Sequence, residues 1–288
     1  MNDKHPTVGI GLPVYNNGKY LSKTLDCLLE QTYKNIVIYI SDDCSTDETQ
    51  SICEKYAASD ERIVYSKNTK NIGANANHVK VLEMASTDYF LYSRGHELMS
   101  DNLIEECLKS LLGNPTAVLS FCTTYWIDEN DDVIEDKPIG YSDTMGFDVV
   151  SRCAAALWGN WDSFYGLSKT DILRSTRTNE ELVGNDTLTA FEKALIGGSV
   201  HARLGVRYRR YHHYSGETYK QRINRLKTAT YKNLGFIDRL FPLLRLPFLL
   251  FSSVTRSNIN WKEKLMIIWV ILFNAPIRYF VARGQGSK

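Results

Sequence analysis

The chain has 288 residues, 43% of them hydrophobic, enough for one large folded domain or one domain with an appendage. Its six cysteines contain no Cys-x-x-Cys and sit mostly in apolar runs, which argues for a reduced chain with buried thiols rather than a disulfide framework. The net charge of +1 conceals a split: residues 1–200 hold 17 Lys and Arg against 30 Asp and Glu, and residues 201–288 hold 17 against 3.

Met1 to Thr7 is polar, so no signal peptide is expected at this end. Val8 to Asn16 begins as an apolar run, and Ile36 to Thr49 begins as a second that ends on Asp42 and Asp43. Both runs are continuous rather than alternating, as in buried parallel strands. Between them Leu21, Leu25, Leu28 and Leu29 recur at helical spacing. Strand, helix and strand in this order place Asp42 and Asp43 at the carboxyl edge of an α/β sheet, where such sheets bind ligands.

The alternation continues. Ser45-Thr-Asp-Glu48 predicts a capping box opening a helix to about Ala58, with Asp47 as a first-turn acid. A short strand at Ile63–Ser66, a helix from Asn71-Ile-Gly73 and a buried strand at Tyr89–Tyr92 follow, the last delivering Ser93-Arg-Gly-His-Glu97 to the same sheet edge. A helix from Asp101 to Leu112, a strand at Ala117–Cys122 and a turn at Asp128–Asp132 come next. Leu188, Phe191 and Leu195 then mark a helix that ends at Gly197-Gly198. The expected division is an α/β body over residues 1–216 and a basic helical tail over 217–288.

The tail combines Phe236–Phe251, broken by Pro242, Arg245 and Pro247, with Leu265–Phe273, far short of the ~20 residues a bilayer span needs. Large apolar residues beside Lys, Arg and Trp suit helices lying on an anionic membrane surface, with Arg209 and Arg210 facing phospholipid. A helical hairpin packed on the body is the competing expectation. The apolar runs argue for lipid over nucleic acid. Gly9-Ile-Gly11 lies inside a strand and is followed by Leu-Pro, so the dinucleotide fingerprint is missing, as is a phosphate-binding Gly-Lys-Ser/Thr loop.

Leu12-Pro-Val-Tyr-Asn16, Ser41-Asp-Asp-Cys-Ser-Thr-Asp47, Asn71-Ile-Gly73, Phe164–Lys169 and Gly184-Asn-Asp186 occur in one order over residues 7–216. Together they resemble the inverting nucleotide-sugar glycosyltransferases of family 2. The resemblance implies a GT-A fold, Rossmann-like, with a mostly parallel central sheet flanked by helices. It also implies transfer of a sugar from a nucleotide-diphosphate sugar, UDP-linked by preference, to a hydroxyl of a glycan or lipid-linked acceptor. The expected setting is cell-surface polysaccharide synthesis on the cytoplasmic face of the membrane, as a peripheral protein.

By that resemblance Pro13 and Tyr15 border the base, Asp42 accepts from its N–H groups, and Asn71 either bonds the nucleotide or serves an ordinary turn. Asp43 either shares that contact or caps backbone amides. Direct displacement at the anomeric carbon needs one general base and one cluster of positive charge for the diphosphate. Asp186 is the base candidate, with stabilisation of its own helix as the alternative. His212 is the candidate for a diphosphate contact, and Trp161 and Asp162 for the acceptor. The family's Asp-x-Asp position reads Arg94-Gly95-His96, followed by Glu97. Either His96 and Glu97 hold Mn²⁺ or Mg²⁺, or Arg94 supplies the charge directly. A catalytically inactive nucleotide-sugar binder is the alternative to an enzyme.

Overall fold

The computed structural model describes residues 5–134, 143–158, 164–210, 221, 235–236 and 244–284. Strand β1 (Val8–Val14) sends Val8, Ile10, Leu12 and Val14 into one apolar cluster, beside Leu21, Leu25 and Leu28 of helix α1 (Gly18–Leu29). Its other face is made by Gly9 and Gly11, for a packing reason. A Cβ on Gly11 would lie 2.3 Å from Cζ of Phe90, and one on Gly9 would lie 2.4 Å from Oγ1 of Thr87. The Gly-x-Gly within this strand thus admits an aromatic ring.

Strands β2 (Ile36–Asp42) and β3 (Ile63–Lys67) add on one side of β1, and β4 (Tyr89–Tyr92) on the other, all parallel. Helix α2 (Thr49–Ser59) precedes β3, and α3 (Ala74–Met84) follows it. Then come β5 (Leu98–Met99), α4 (Leu103–Leu112), β6 (Ala117–Ile127), α5 (Val149–Trp158), β7 (Leu167–Lys169), α6 (Thr170–Ser175), α7 (Asn185–Ile196) and β8 (Gly198–Arg210). The sheet order is β3-β2-β1-β4-β7-β6-β8-β5. Strand β7 runs against both neighbours, β5 runs against β8, and the other six share one direction. The carboxyl ends of β1, β2, β4, β6 and β8 therefore meet at one edge, as in a GT-A fold.

Two local expectations are corrected. Ser45 does not cap α2. Its amide and hydroxyl both donate to Asp42 Oδ1, at 2.9 and 2.5 Å, and the helix starts at Thr49. The amide that needs a cap is served by Asp47, whose carboxylate takes Thr49 N at 3.0 Å and Gly18 N at 3.0 Å, joining the starts of α1 and α2. Arg209 and Arg210 do not face outward to phospholipid. Arg210 is buried, pairs with Asp131 and stacks 4.0 Å from the Tyr20 ring centre, and Arg209 turns toward Glu97.

Helices α8 (Arg245–Arg256) and α9 (Trp261–Gly284) close the described chain. Leu250, Val254, Ile267 and Ile271 are buried in a second apolar cluster with Cys153 and Leu157 of α5 and Leu188 and Phe191 of α7. Through these residues α8 and α9 pack on the body, as the hairpin reading expected, while Phe248, Trp269 and Phe273 remain exposed.

Candidate active site

At the carboxyl edge, the loops after β1 and β2 are sewn together. Asn16 takes a left-handed conformation at φ 50°, its amide donates to Ser45 Oγ at 2.9 Å, and its Oδ1 accepts from Thr46 N at 2.9 Å. Tyr15 projects from this loop, half exposed, with Pro13 partly buried before it. Asp42 is wholly buried, its oxygens taken by Ser45 and by Tyr65 Oη at 3.2 Å. Its carboxylate organises the loop from within.

Asp43 acts one step further out. Its Oδ1 accepts from Ile72 N at 2.7 Å and Asn68 Nδ2 at 2.9 Å, and its Oδ2 accepts from Gly73 N at 2.9 Å. The amide-capping alternative for Asp43 is the geometry observed. Gly73 adopts φ 93°, a left-handed value that a side chain would strain, and so lets the chain turn into α3. The Asn71 carboxamide is thereby presented at the edge. Its Oδ1 is buried with no hydrogen-bond partner among the described residues. A buried acceptor left open is costly, and a ligand donor is one way to satisfy it.

The loop after β4 carries the charge. Glu97 is 1% exposed and forms ion pairs with three arginines: Arg94 Nη1 at 3.4 Å, Arg207 Nη1 at 3.2 Å and Arg209 Nε at 3.7 Å. Burial pushes the Glu97 carboxyl up, and the field of Arg94, Arg207 and Arg209 more than reverses this, so its pKa lies below the usual value. Tyr165 stands among the same arginines. Its hydroxyl accepts from Arg94 Nε at 2.9 Å, its carbonyl accepts from Arg207 Nη2 at 2.9 Å, and Arg94 lies 4.3 Å from its ring centre. His96 lies beside the β1 loop, its Nδ1 3.5 Å from Asn17 Nδ2.

The side expected to receive the acceptor is built by α7. Gly184 at φ 97° turns the chain into the helix, and Asn185 closes the preceding loop by donating to Glu180 O at 2.8 Å and Arg177 O at 3.0 Å. Asp186 follows, half buried in the first turn, with Oδ1 accepting from Thr187 N at 2.8 Å. Asn75 of α3 reaches the same loop through Glu180 O at 3.4 Å, so the Asn71 turn and the Asp186 helix abut. Glu181, not singled out by sequence, lies here too. Its Oε2 is buried without a hydrogen-bond partner among the described residues, and burial raises its pKa. Trp161, Asp162 and His212 lie outside the described residues.

The family model described as glycosyl transferase family 2 matches residues 10–160, more than half of the chain. This chain belongs to glycosyl transferase family 2. A putative teichuronic acid biosynthesis glycosyltransferase, TuaG of Bacillus subtilis, is 30% identical over 148 residues, covering 51% of this chain and 58% of that one. Staphylococcus aureus TarS in complex with UDP-GlcNAc superposes with a TM-score of 0.63 at 15% identity, over 93% of this chain and 72% of that chain. A mannosyltransferase of Pyrobaculum calidifontis, solved with GDP-Man and Mn²⁺, superposes at 0.58 with 16% identity, over 98% and 76%. The alignments span about half the length of curated relatives such as TuaG. The structural likenesses show the shared fold.

Among its described residues this family 2 member does not offer the donor set that a divalent ion requires. Both Glu97 oxygens are already engaged by guanidinium groups, and Arg94 occupies the aligned acidic position. Among the described residues no three His, Cys, Asp or Glu side chains converge. A dication placed beside Arg94 and Arg209 would be repelled by both. What sequence reading did not show is that Arg207 and Arg209, two residues apart on β8 and so on one face of the strand, turn to Glu97.

Proposed function

We propose that this family 2 chain transfers a sugar from a nucleotide-diphosphate sugar, with UDP favoured, to a hydroxyl of a glycan or lipid-linked acceptor with inversion. The setting is cell-surface polysaccharide synthesis at the cytoplasmic face of a membrane. The catalytic unit spans residues 1–216, and residues 217–288 form the appended tail. One observation carries the reading. The open Asn71 acceptor, the arginines around Glu97 and the half-buried Asp186 lie in loops and a helix start at one side of the sheet, which supports a site for nucleotide, diphosphate and acceptor.

In this reading Pro13, Tyr15 and Asn71 receive the nucleotide, while Asp42 and Asp43 hold their loops in place. Arg94 takes the diphosphate, with His212 as the second candidate contact, and its guanidinium offsets the charge that grows on the leaving group. Asp186 accepts the proton of the attacking hydroxyl, which Trp161 and Asp162 help to place. Glu97 keeps the arginines together, and His96 borders the nucleotide loop. No step is assigned to a metal ion. UDP-sugars appear in a TarS complex, and TuaG carries a name from teichuronic acid synthesis; both favour this donor and product class.

The loss of the family's acidic pair to Arg94-Gly95-His96 favours a second reading, a nucleotide-sugar binder without turnover. Incubation with a panel of sugar nucleotides separates the two. Release of UDP with an acceptor, and an anomeric proton of inverted configuration in the product, is the expected result. Tight binding without turnover across the panel supports the binder instead.

A further inference from the structure

We propose that the outward face of α8 and α9 is a docking surface for an anionic lipid bilayer, on which the helix pair lies flat. Helix α9 is apolar on two opposite sides. Ile267 and Ile271 point into the protein and are fully buried. Trp261, Leu265, Met266, Trp269, Leu272 and Phe273 are 49% to 66% exposed. At roughly 100° per residue these six fall in one arc of about 140°, opposite the docked side. The arc is continuous, with the rings of Trp269 and Phe273 stacked 5.5 Å apart. Helix α8 repeats the design, with Leu250 and Val254 buried inward and Phe248 exposed outward. Apolar surface of this extent on one side of two neighbouring helices marks an interaction site.

Charge selects the occupant. Residues 245–284 carry six Lys and Arg against one acidic residue, Glu263. Lys262 lies exposed in the first turn of α9, within the apolar arc, and Arg256 is exposed at the end of α8. A second copy would bring these cations against their own counterparts. Anionic headgroups neutralise them while acyl chains receive the aromatic and aliphatic side chains. No helix among the described residues is long and apolar enough to cross a membrane, so the pair lies on the surface.

The docking face is fixed to the reaction side of the molecule. Arg245 Nη2 lies 2.9 Å from Glu180 Oε2, and Leu246 Cδ2 is 3.1 Å from where a Cβ on Gly184 would stand. Both contacts touch the segment leading directly into Asp186. A bilayer seated on α8 and α9 thus sets Asp186 at a defined height above the headgroups, suited to an acceptor whose carrier is embedded in that bilayer. Only this last point rests on the transferase reading.

Co-sedimentation of the full chain with vesicles tests the surface without reference to catalysis. Vesicles of phosphatidylcholine with phosphatidylglycerol should capture the chain, pure phosphatidylcholine should capture less, and added salt should weaken the capture. The pair Trp269→Gln and Phe273→Gln should weaken capture roughly tenfold or more while leaving melting and UDP binding unchanged. Capture of the paired variant equal to that of the unaltered chain overturns the proposal. So does a chain that ignores anionic vesicles, or one whose exposed face instead forms a dimer in sedimentation velocity that the same variant abolishes. Turnover on a soluble acceptor, measured in parallel, reports on the transferase reading separately.

Discussion

Arg207 and Glu97 meet 3.2 Å apart in the interior, although 110 positions separate them along the chain. Antiparallel pairing of β5 with β8, Leu98 opposite Tyr208 and Met99 opposite Arg207, brings them together. The pair is the inner member of a cluster whose outer members, Arg94 and Arg209, border the candidate diphosphate position. Replacing Glu97 by Gln should therefore destabilise the whole protein, not only the site. Three guanidinium groups would lose their shared counter-charge, at a cost of about 3 kcal/mol or more, visible as a lowered melting temperature. An unchanged melting temperature would remove Glu97 from the core of the cluster.

The same cluster sets a pH dependence. The folded-state pKa of Glu97 lies below its ordinary value, so the unfolded chain takes up this proton first. Its contribution is complete above the unfolded pKa, near 4.5, and is lost as pH falls through the folded value. The melting difference between the unaltered chain and Glu97→Gln should accordingly be constant at pH 6 and above and shrink below about pH 4. A difference that persists to the lowest measurable pH contradicts this origin.

Arg94→Ala should weaken UDP binding by at least about tenfold, the loss of one charge-assisted contact, with a smaller effect on uridine. Activity of the unaltered chain should survive excess chelator. Isothermal titration and turnover with and without chelator check both statements. Full loss of turnover on chelation, with recovery in Mn²⁺, would return the charge to a metal.

Asp186→Asn should leave UDP affinity intact and reduce turnover by roughly 10²-fold or more. The exchange preserves shape, so the fold should persist. Near-normal rates would leave Asp186 as a helix-start acid.

Asn71→Ala separates a structural from a ligand-facing carboxamide. Its Oδ1 makes no internal hydrogen bond among the described residues, so stability should stay within about 0.5 kcal/mol. UDP affinity should fall by roughly tenfold, about one hydrogen bond. A large drop in melting temperature with unchanged affinity would reverse that assignment.

The elements that sequence made legible are those whose signals are local. Continuous apolar runs marked β1 and β2, and the spacing of Leu188, Phe191 and Leu195 marked α7, all three buried as expected. The edge that carries Asp42, Asp43 and Arg94 followed from element order, while Asn71 and Asp186 came from the family resemblance. What stayed hidden depends on partners distant in sequence. Ser45 looks like a helix cap until Asp42 is seen to take its hydroxyl. Arg207 and Arg209 look like surface basics until β8 runs alongside β5. Glu97 looks like a metal ligand until both its oxygens are seen to be engaged.

Arg177 joins Glu192 of α7 at 2.8 Å to the Leu249 carbonyl of α8 at 2.8 Å, and Ser253 Oγ donates to the same Glu192 at 2.6 Å. This clamp gives the tail a standing that its composition hides. Cutting the chain before α8 would strip the outer wall from Leu188 and Phe191 and leave Arg177 and Glu192 facing water beside raw apolar surface. A shortened protein would then precipitate for reasons unrelated to lipid. A well-behaved soluble form is better reached by repainting the exposed side of α9 with polar residues, keeping every inward-facing position, than by trimming the chain.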